Sequence, residues 1–313
     1  MTSTQWESRG RDSKDMKTPD VKPAGATLNL LTLDIEDWRQ LIRLKFTGEV
    51  CSPGREVVDE TNALLQALAD RNVHATFFVL ANVAVTFPEL VRLIHQQGHE
   101  IASHGYSHER IYRQKPEQFR AETRKAKSLL EDIAGAQVLG YRAAEFSITA
   151  QSWWALDVLS EEGFAYDSSV FPIAGRRYGV PNAQLAPHRI HTRSGNTLWE
   201  FPLTAVELWK YRLPVGGGGY FRLTPYGLTR LALEHVNQQG RSAVVYLHPY
   251  EFTEEKLEIA LPKLSLRQRL ILARYSRLHN LGRKRLCARF RKLLVEFRFL
   301  SVRDWLLKKG DSQ

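Results

Sequence analysis

Two histidines in the segment GHEIASHGYSHER, residues 98–110, have a spacing suited to binding a metal ion. His104 and His108 are four residues apart, so a helical turn or a tight loop can direct both imidazoles towards one point. Two imidazoles and one carboxylate make an open metal site with room for a water molecule. His99 precedes the same predicted strand and should lie at its far end, so we expect a structural role for it.

Three acidic residues follow or end an apolar run in the segment LTLDIEDW, residues 31–38. Asp34, Glu36 and Asp37 fall within four positions, and packing like charges so closely costs free energy unless a cation or hydrogen-bond donors compensate. Acids alone would also suit a helix N-terminus or a solvated loop. Together with the two histidines they favour a metal site.

The elements that must position these residues follow from hydrophobic periodicity. Short apolar runs alternate with longer amphipathic segments, which is typical of βαβ units around a mostly parallel sheet. Seven strands are predicted, at residues 28–35, 74–81, 100–104, 138–143, 164–169, 198–204 and 243–249. Helices are predicted at residues 56–71, 87–97, 116–134 and 149–163. Residues 170–220 predict a less regular insertion, in which GGGG at 216–219 marks a loop or a bulge.

The residues capable of chemistry fall at or just beyond the C-terminal ends of five of these strands. They are Asp34, Glu36, Asp37, His104, His108, Arg142, Asp167 and His248. A closed or nearly closed α/β barrel brings the C-terminal strand ends together on one face, where its active site is expected. The sequence therefore predicts an α/β barrel with one site at that face.

The positive charge is concentrated near the C-terminus. The formal net charge is +10, but residues 263–309 contain fifteen Lys or Arg residues and only two acids, which leaves about −3 elsewhere. No nucleic-acid reader motif accompanies this charge, so we expect no nucleic-acid partner. The segment has helical apolar spacing, and it can either pack on the barrel with its charges solvated or contact an anionic membrane surface.

Cysteine content and the N-terminus point to a cytoplasmic protein. Cys51 and Cys287 are too few and too distant for a disulfide framework, and neither forms a C-x-x-C motif. Residues 1–26 have no apolar core of a signal peptide, and no run approaches eighteen apolar residues. We expect this first segment to be disordered.

Seven motifs in order along residues 28–300 carry a resemblance to a known family. They are LTLDIEDW, HATFFVLANVA, GHEIASHGYSH, GYRAAEFSI, EEGFAYDSSVFP, GGGGYFRLTP and YLHPYEF. The chain resembles NodB-type polysaccharide deacetylases (carbohydrate esterase family 4), and more closely the branch found in bacterial exopolysaccharide loci. The resemblance implies a distorted (β/α)7 barrel over residues 27–262, with residues 263–313 as a basic helical extension packed on it.

The resemblance also assigns roles to residues. It implies that Asp34 is the catalytic base, that Arg142 orients this base, and that His248 is the general acid. His104 and His108 would bind a divalent ion, with zinc as the expected one.

The third metal ligand stays open between two acids. The adjacent pair of aspartates usual in the family is replaced here by Asp34-x-Glu36-Asp37. Glu36 shares the strand face of Asp34 by two-residue alternation, whereas Asp37 can serve if the strand has already ended.

The implied reaction is the removal of N-acetyl groups from amino-sugar residues of a bacterial exopolysaccharide or its lipid-linked precursor. The metal would activate a water molecule, and a backbone N–H near Tyr141 to Ala144 would stabilise the oxyanion. Ala144 replaces a proline usual in the family, and we expect the loss of that fixed backbone dihedral to loosen this loop. A neighbouring acid would keep His248 protonated, and Asp167 is a candidate for it.

Trp38 and Tyr220 are candidates for contacts with sugar rings, because they adjoin a strand end and a glycine-rich loop. Tyr141 is a candidate substrate contact in the oxyanion loop.

Three alternatives remain from the residues. Ferrous iron sites also use two histidines and one carboxylate, but they usually lie in jelly rolls, whereas this chain alternates strand and helix. An allantoinase-like amide hydrolase could use the same fold. A degenerate barrel that binds saccharide or scaffolds a synthesis complex is the non-catalytic alternative.

Overall fold

The computed structural model describes residues 27–175, 177–253 and 255–310. The disorder predicted for residues 1–26 lies outside the described residues. The strands are β1 (Asn29–Ile35), β2 (Thr76–Val79), β3 (Glu100–Ser103), β4 (Gly140–Tyr141), β5 (Tyr166–Asp167), β6 (His188–His191), β7 (Thr197–Glu200), β8 (Ala205–Leu208), β9 (Tyr211–Pro214), β10 (Val244–Leu247) and β11 (Phe299–Leu300).

Helices alternate with these strands along most of the chain. They are α1 (Trp38–Thr47), α2 (Glu56–Ala69), α3 (Ala81–Thr86), α4 (Pro88–Gln96), α5 (Pro116–Ala134), α6 (Trp154–Glu161), α7 (Gly218–Leu223), α8 (Tyr226–Gln238), α9 (Leu266–Asn280), α10 (Leu286–Glu296) and α11 (Val302–Gly310). The helices predicted at 56–71, 87–97 and 116–134 are confirmed as α2, α4 and α5, whereas α1 and α8 were not predicted.

A curled parallel sheet forms the centre of the fold. Within the described residues its strand order is β10-β1-β2-β3-β4-β5-β7-β6, and the first seven of these strands run parallel. These seven are the predicted strands, whereas β11, which also pairs in parallel with β1, was not predicted as a strand. Because β10 and β6 are the ends of this run of strands, the sheet is a half-barrel, and the predicted α/β architecture is confirmed.

Alternation along β1 directs the chemistry inwards. Leu31, Leu33 and Ile35 are fully buried against the surrounding helices, because they belong to the outer apolar cluster. Leu30 belongs to the inner cluster, so the side of the strand that carries it also carries the remaining even-numbered residues. Asp34 therefore faces the interior of the half-barrel.

The insertion at 170–220 contains two hairpins, β6–β7 and β8–β9. The glycine run that follows is not a free loop, because Gly217 bridges to Tyr246 of β10 and Gly218 begins α7. A Cβ atom on Gly217 would lie 2.1 Å from the Tyr246 ring, so glycine permits this close approach of two backbones.

The basic C-terminal segment contributes to the sheet and to the core. β11 pairs in parallel with the start of β1, and Trp305 packs at 5.4 Å from Trp199 and 5.1 Å from Phe201 between ring centroids. Residues on both sides of position 262 thus share one core, while the domain boundary there remains a prediction. No helix in the described ranges has both the length and the apolar character needed to cross a bilayer.

Candidate active site

Five of the predicted residues meet at the C-terminal ends of β1, β3, β4 and β10. Glu36 follows β1, His104 follows β3, and His108 lies in the turn after it. Arg142 follows β4, and His248 follows β10. Asp34 lies within β1 and completes the group, so strands that are distant in sequence deliver six side chains to one place.

The carboxylate of Glu36 contacts both imidazoles. Its Oε2 lies 2.9 Å from Nε2 of His108 and 3.3 Å from Nε2 of His104. One ligand atom from each of the three residues lies within 4.8 Å of the other two. Such a group, mostly buried, has the composition of a site for zinc or a similar divalent ion.

Local backbone geometry directs the two rings. Nδ1 of His104 donates to the carbonyl oxygen of Arg142 at 2.9 Å, which leaves Nε2 of His104 as the nitrogen that faces Glu36. Gly105 and His108 have positive φ angles of 80° and 60°, so the chain turns sharply and brings His108 back beside His104.

Glu36 has an oxygen that fits a bound cation. No hydrogen bond of good geometry reaches its buried Oε2 from the described residues, although two ring nitrogens face it. Burial alone would raise the pKa of Glu36, but the neighbouring imidazoles, His108 above all, hold this pKa well below its usual range. An ionised carboxylate oxygen that two imidazole nitrogens face at close range is suited to sharing one metal ion with them.

Asp37, the alternative ligand, lies outside this group. Its Oδ1 accepts from the backbone N–H of Arg39 at 2.8 Å, which makes it the N-cap of α1, and its Oδ2 accepts from the N–H of Gly54 at 2.7 Å. Both oxygens are therefore used to hold the backbone. The sequence alternative that placed Asp37 on the metal is wrong in this structure.

Asp34 and Arg142 form a buried ion pair. Nη1 of Arg142 donates to Oδ1 of Asp34 at 2.7 Å, and the guanidinium also donates to Thr32 and Ser168. Its central carbon lies 4.1 Å from the ring centre of Phe78. The arginine is thus fixed on all sides, and the second oxygen of Asp34 remains directed towards His248, 3.9 Å from its Nε2.

His248 is held by an acid that the sequence analysis missed. Its Nδ1 contacts Oε2 of Glu251 at 3.1 Å, and Arg222 contacts the other oxygen of Glu251 at 3.0 Å. Burial alone would lower the pKa of His248, but Glu251 and the charge of Glu36 raise it to about 9. The three-residue spacing in HPYE was the available signal, because a turn after β10 places these two side chains together.

Asp167 does not contact His248, so the expectation that it tunes this histidine is wrong. Its carboxylate accepts from the hydroxyl and the backbone N–H of Ser169, at 2.6 and 2.9 Å. It is buried beside Glu200, and burial raises the pKa of both acids. Asp167 therefore supports the loop after β5.

Two of the three predicted substrate contacts are buried side chains. Trp38 is 3% exposed in an apolar cluster with Tyr250, so its faces are not open to a sugar ring. Tyr141 is 2% exposed and packs edge-on against Phe119. Tyr220 is half-buried, and its hydroxyl lies 3.2 Å from that of Tyr178. Among these candidates, only Tyr220 keeps a surface that a ligand can reach.

The predicted oxyanion loop has fewer free amides than its sequence suggests. The N–H of Arg142 donates to the carbonyl oxygen of Ser103 at 2.9 Å, and that of Ala143 donates to Oγ of Ser169 at 2.8 Å. Neither amide is available to a ligand. The predicted hydrogen bond to the oxyanion therefore has to come from another backbone N–H of the loop, such as that of Ala144.

Two family models match consecutive parts of the chain. Residues 52–163 match the polysaccharide deacetylase family, and residues 168–307 match a domain of unknown function, DUF3473. His104, His108 and Arg142 lie in the first part, whereas His248 lies in the second. The candidate site therefore draws on both matched parts.

Sequence relatives cover part of the chain. A peptidoglycan-N-acetylglucosamine deacetylase of Bacillus cereus is 27% identical over 140 residues, which are 41% of this chain and 50% of that protein. A peptidoglycan deacetylase of Helicobacter pylori is 30% identical over 130 residues, which are 40% of this chain and 39% of that protein. The chain thus spans half or less of the length of these relatives.

Solved structures share the fold over most of the chain. A protein described as a polysaccharide deacetylase from Mycobacterium smegmatis has a TM-score of 0.52 at 21% identity, and the match covers 89% of this chain and 98% of that one. The allantoinase PuuE has a TM-score of 0.53 at 15% identity, with coverages of 85% and 90%. At these identities the similarity concerns the fold alone.

A measurement of zinc affinity tests whether Glu36, and not Asp37, is the carboxylate ligand. Glu36→Gln removes the charge that contacts both imidazoles, and we expect the affinity to fall at least about 100-fold in a titration against a competing chelator. Asp37→Asn keeps an N-cap acceptor and should remain within about twofold of the unchanged protein. Equal losses in the two variants would contradict this assignment of the ligand.

The pKa of His248 reports its contact with Glu251. Glu251→Gln removes the negative charge that favours the imidazolium form, so this pKa should fall by roughly 1 to 2. NMR titration of the imidazole protons, with chelator present, measures the change. Glu258→Gln is the control, because Glu258 is an exposed residue after the same turn; an unaltered pKa in Glu251→Gln would refute the role of Glu251.

Proposed function

Because this chain carries a polysaccharide deacetylase domain of the NodB type, we propose that it is a metal-dependent hydrolase that removes N-acetyl groups from amino-sugar residues of a bacterial polysaccharide. One observation carries this proposal above the others. A carboxylate and two imidazoles face one another beside a second, arginine-bound carboxylate and a third histidine, His248.

Glu36, His104 and His108 are the residues that would hold the metal, and zinc is the ion we expect there. When bound, such an ion supplies a Lewis acid that lowers the pKa of a water molecule to about 7 and polarises the acetyl carbonyl. The unbonded oxygen of Glu36 and the orientation of both rings support this assignment.

Asp34 would act as the base. Its Oδ1 is occupied by Arg142, so Oδ2 is the oxygen that accepts the proton of the attacking water. The hydrogen bond from the guanidinium holds this carboxylate in one orientation. The water oxygen then bonds to the acetyl carbon, which becomes tetrahedral.

His248 would act as the acid on the other side. Because Glu251 and Glu36 raise its pKa to about 9, the ring is protonated at neutral pH and can donate the proton from Nε2 to the departing amine. The C–N bond breaks, and the products are acetate and a free amino sugar.

The proposed substrate is an exopolysaccharide or its lipid-linked precursor, processed in the cytoplasm at a membrane surface. The resemblance to the exopolysaccharide branch supports the glycan, and two cysteines so distant in sequence are too few for a disulfide framework, which is typical of a reducing compartment. The relatives named above act on peptidoglycan according to their names, so this choice of glycan is our own.

The outer face of α9 supports contact with an anionic membrane. Leu266, Leu270 and Ile271 are 76%, 66% and 49% exposed, and arginines at 267 and 274 lie among them on the same face. The inner face of α9 carries Tyr275 and His279 towards Trp38, close to the candidate site. A membrane-bound α9 would therefore bring the site to a lipid-linked glycan.

Acetate release from N-acetylchitotetraose tests the reaction. We expect Asp34→Asn and His248→Ala each to lower turnover at least about 100-fold in protein that circular dichroism shows to be folded, because each removes one proton transfer. Asp59→Asn, on the exposed side of α2, is the control.

Near-normal turnover in either variant would overturn the assigned roles. Allantoin hydrolysis without acetate release would favour the allantoinase-like alternative. Glycan binding with no turnover of either compound would favour the non-catalytic one.

Vesicle flotation tests the membrane contact. We expect binding to vesicles with anionic lipid, weakened by salt, because each basic residue near such a surface contributes about 1 kcal/mol. Leu270→Glu should abolish binding, whereas Leu228→Glu, equally apolar and exposed on α8, should not. Binding that is independent of anionic lipid and salt would refute the contact.

A further inference from the structure

Three cationic side chains converge on one carboxylate near the candidate site. Arg110 donates to both oxygens of Glu145 at 2.8 Å, and the same carboxylate lies 3.6 Å from Nζ of Lys45 and 3.8 Å from Nη1 of Arg177. In the described part of the chain, the ion pairs of all three cations lead to Glu145. The cluster therefore keeps an excess of positive charge.

The cluster lies next to the residues proposed for catalysis. Arg110 comes two positions after His108, and Glu145 comes three positions after Arg142. Glu145 is close enough to His108 for that imidazole to help lower its pKa, after Arg110 and Lys45. Both segments leave the sheet at its C-terminal edge, so the cluster belongs to the mouth of the site.

Tyr275 of α9 links the cluster to the metal-binding group. Nζ of Lys45 lies 4.7 Å from the centre of its ring. Burial, together with the charges of Glu145 and Glu36, raises the pKa of Tyr275 to about 12. The tyrosine thus lies within electrostatic range of both carboxylates, Glu145 of the cluster and Glu36 of the metal-binding group.

The cations are crowded but accessible. The side chain of Arg177 is 55% exposed and that of Lys45 is 27% exposed. Burial lowers the pKa of Lys45, and repulsion from Arg177 and Arg110 lowers it further. Among the described residues, Glu145 is the carboxylate that pairs with all three cations. An incoming anion would relieve the repulsion that remains among them.

The backbone that carries Glu145 is in an unfavourable conformation. Glu145 has φ 50° and ψ 28°, and Phe146 has φ 52°, which places two consecutive residues other than glycine in the left-handed region. Such strain is found where the surrounding structure holds a functional segment in place. Here the two hydrogen bonds from Arg110 hold it.

We propose that Lys45, Arg110 and Arg177 form an anion-binding subsite for a carboxylate or phosphate group of the glycan substrate. Guanidinium groups bind both groups through paired N–H donors, and Lys45 adds a point charge. The proposal rests on the proposed function, since it names the class of substrate: a glycan with a negative group close to the N-acetyl sugar.

Equilibrium binding by calorimetry tests the subsite. The probes are neutral N-acetylchitotetraose, the same chain ending in a uronic acid, and the same chain ending in a glycosyl phosphate. Full-length protein with Asp34→Asn keeps each probe intact during the measurement. We expect at least one charged probe to bind about fivefold or more tightly than the neutral one at low salt, and the preferred probe identifies the source of the anion.

Matched charge removals assign the preference to these residues. Arg177→Gln and Lys45→Gln should each lower the ratio of charged to neutral affinity by about fivefold. Arg43→Gln removes a charge from the same helix as Lys45 but pairs with Glu49, so it should keep the ratio. Equal affinity for all probes, or a preference that both cluster variants retain, would overturn the subsite.

Acetate release by the unchanged enzyme separates the two proposals. Release without a preference for charged probes overturns the subsite alone. A preference without release on any probe overturns the hydrolase and leaves the subsite. Absence of binding to every probe overturns both.

Discussion

Two buried carboxylates lie together at the end of β1, and the structure depends on the groups that compensate their negative charge. Asp34 in β1 and Glu36 just after it are both buried, and an unpaired charge costs free energy in such a place. Arg142 neutralises the first, and the imidazoles of His104 and His108 face the second. Removing one partner of a buried ion pair typically costs about 3 to 5 kcal/mol, so the chemistry and the stability of this face are linked.

The compensating groups follow two other strands, β3 and β4, and the parallel sheet brings them to the end of β1. Strands that run parallel end at one edge, so residues more than a hundred positions apart in sequence meet there. The backbone also takes part, since the carbonyl oxygen of Arg142 fixes the tautomer of His104. One arginine thus orients an acid with its side chain and a metal-binding ring with its main chain.

The C-terminal segment supports the acid side of the site, and much of its charge is used inside the protein. Arg283 donates to carbonyl oxygens of Tyr250 and Thr253, in the turn that follows His248. Arg289 donates to carbonyl oxygens at the end of α7, the helix that carries Arg222. The expectation that the tail's charges are simply solvated is therefore wrong for these arginines, whereas those on the outer face of α9 are exposed.

The sequence by itself determined the seven parallel strands and the residues that meet at their ends. The alternation of apolar runs with amphipathic segments, and the polar residues that end each run, can be read from short windows of sequence. It did not decide between Glu36 and Asp37 as the third metal ligand. It gave Asp167 the contact with His248 that Glu251 makes, and it predicted a sugar contact for Trp38, which is buried. Those outcomes depend on where β1 ends, how the turn after β10 closes and which side chains pack on the ring of Trp38. Tertiary contacts decide all three, since hydrogen bonds from distant backbone and burial by the C-terminal segment are absent from any local window of sequence.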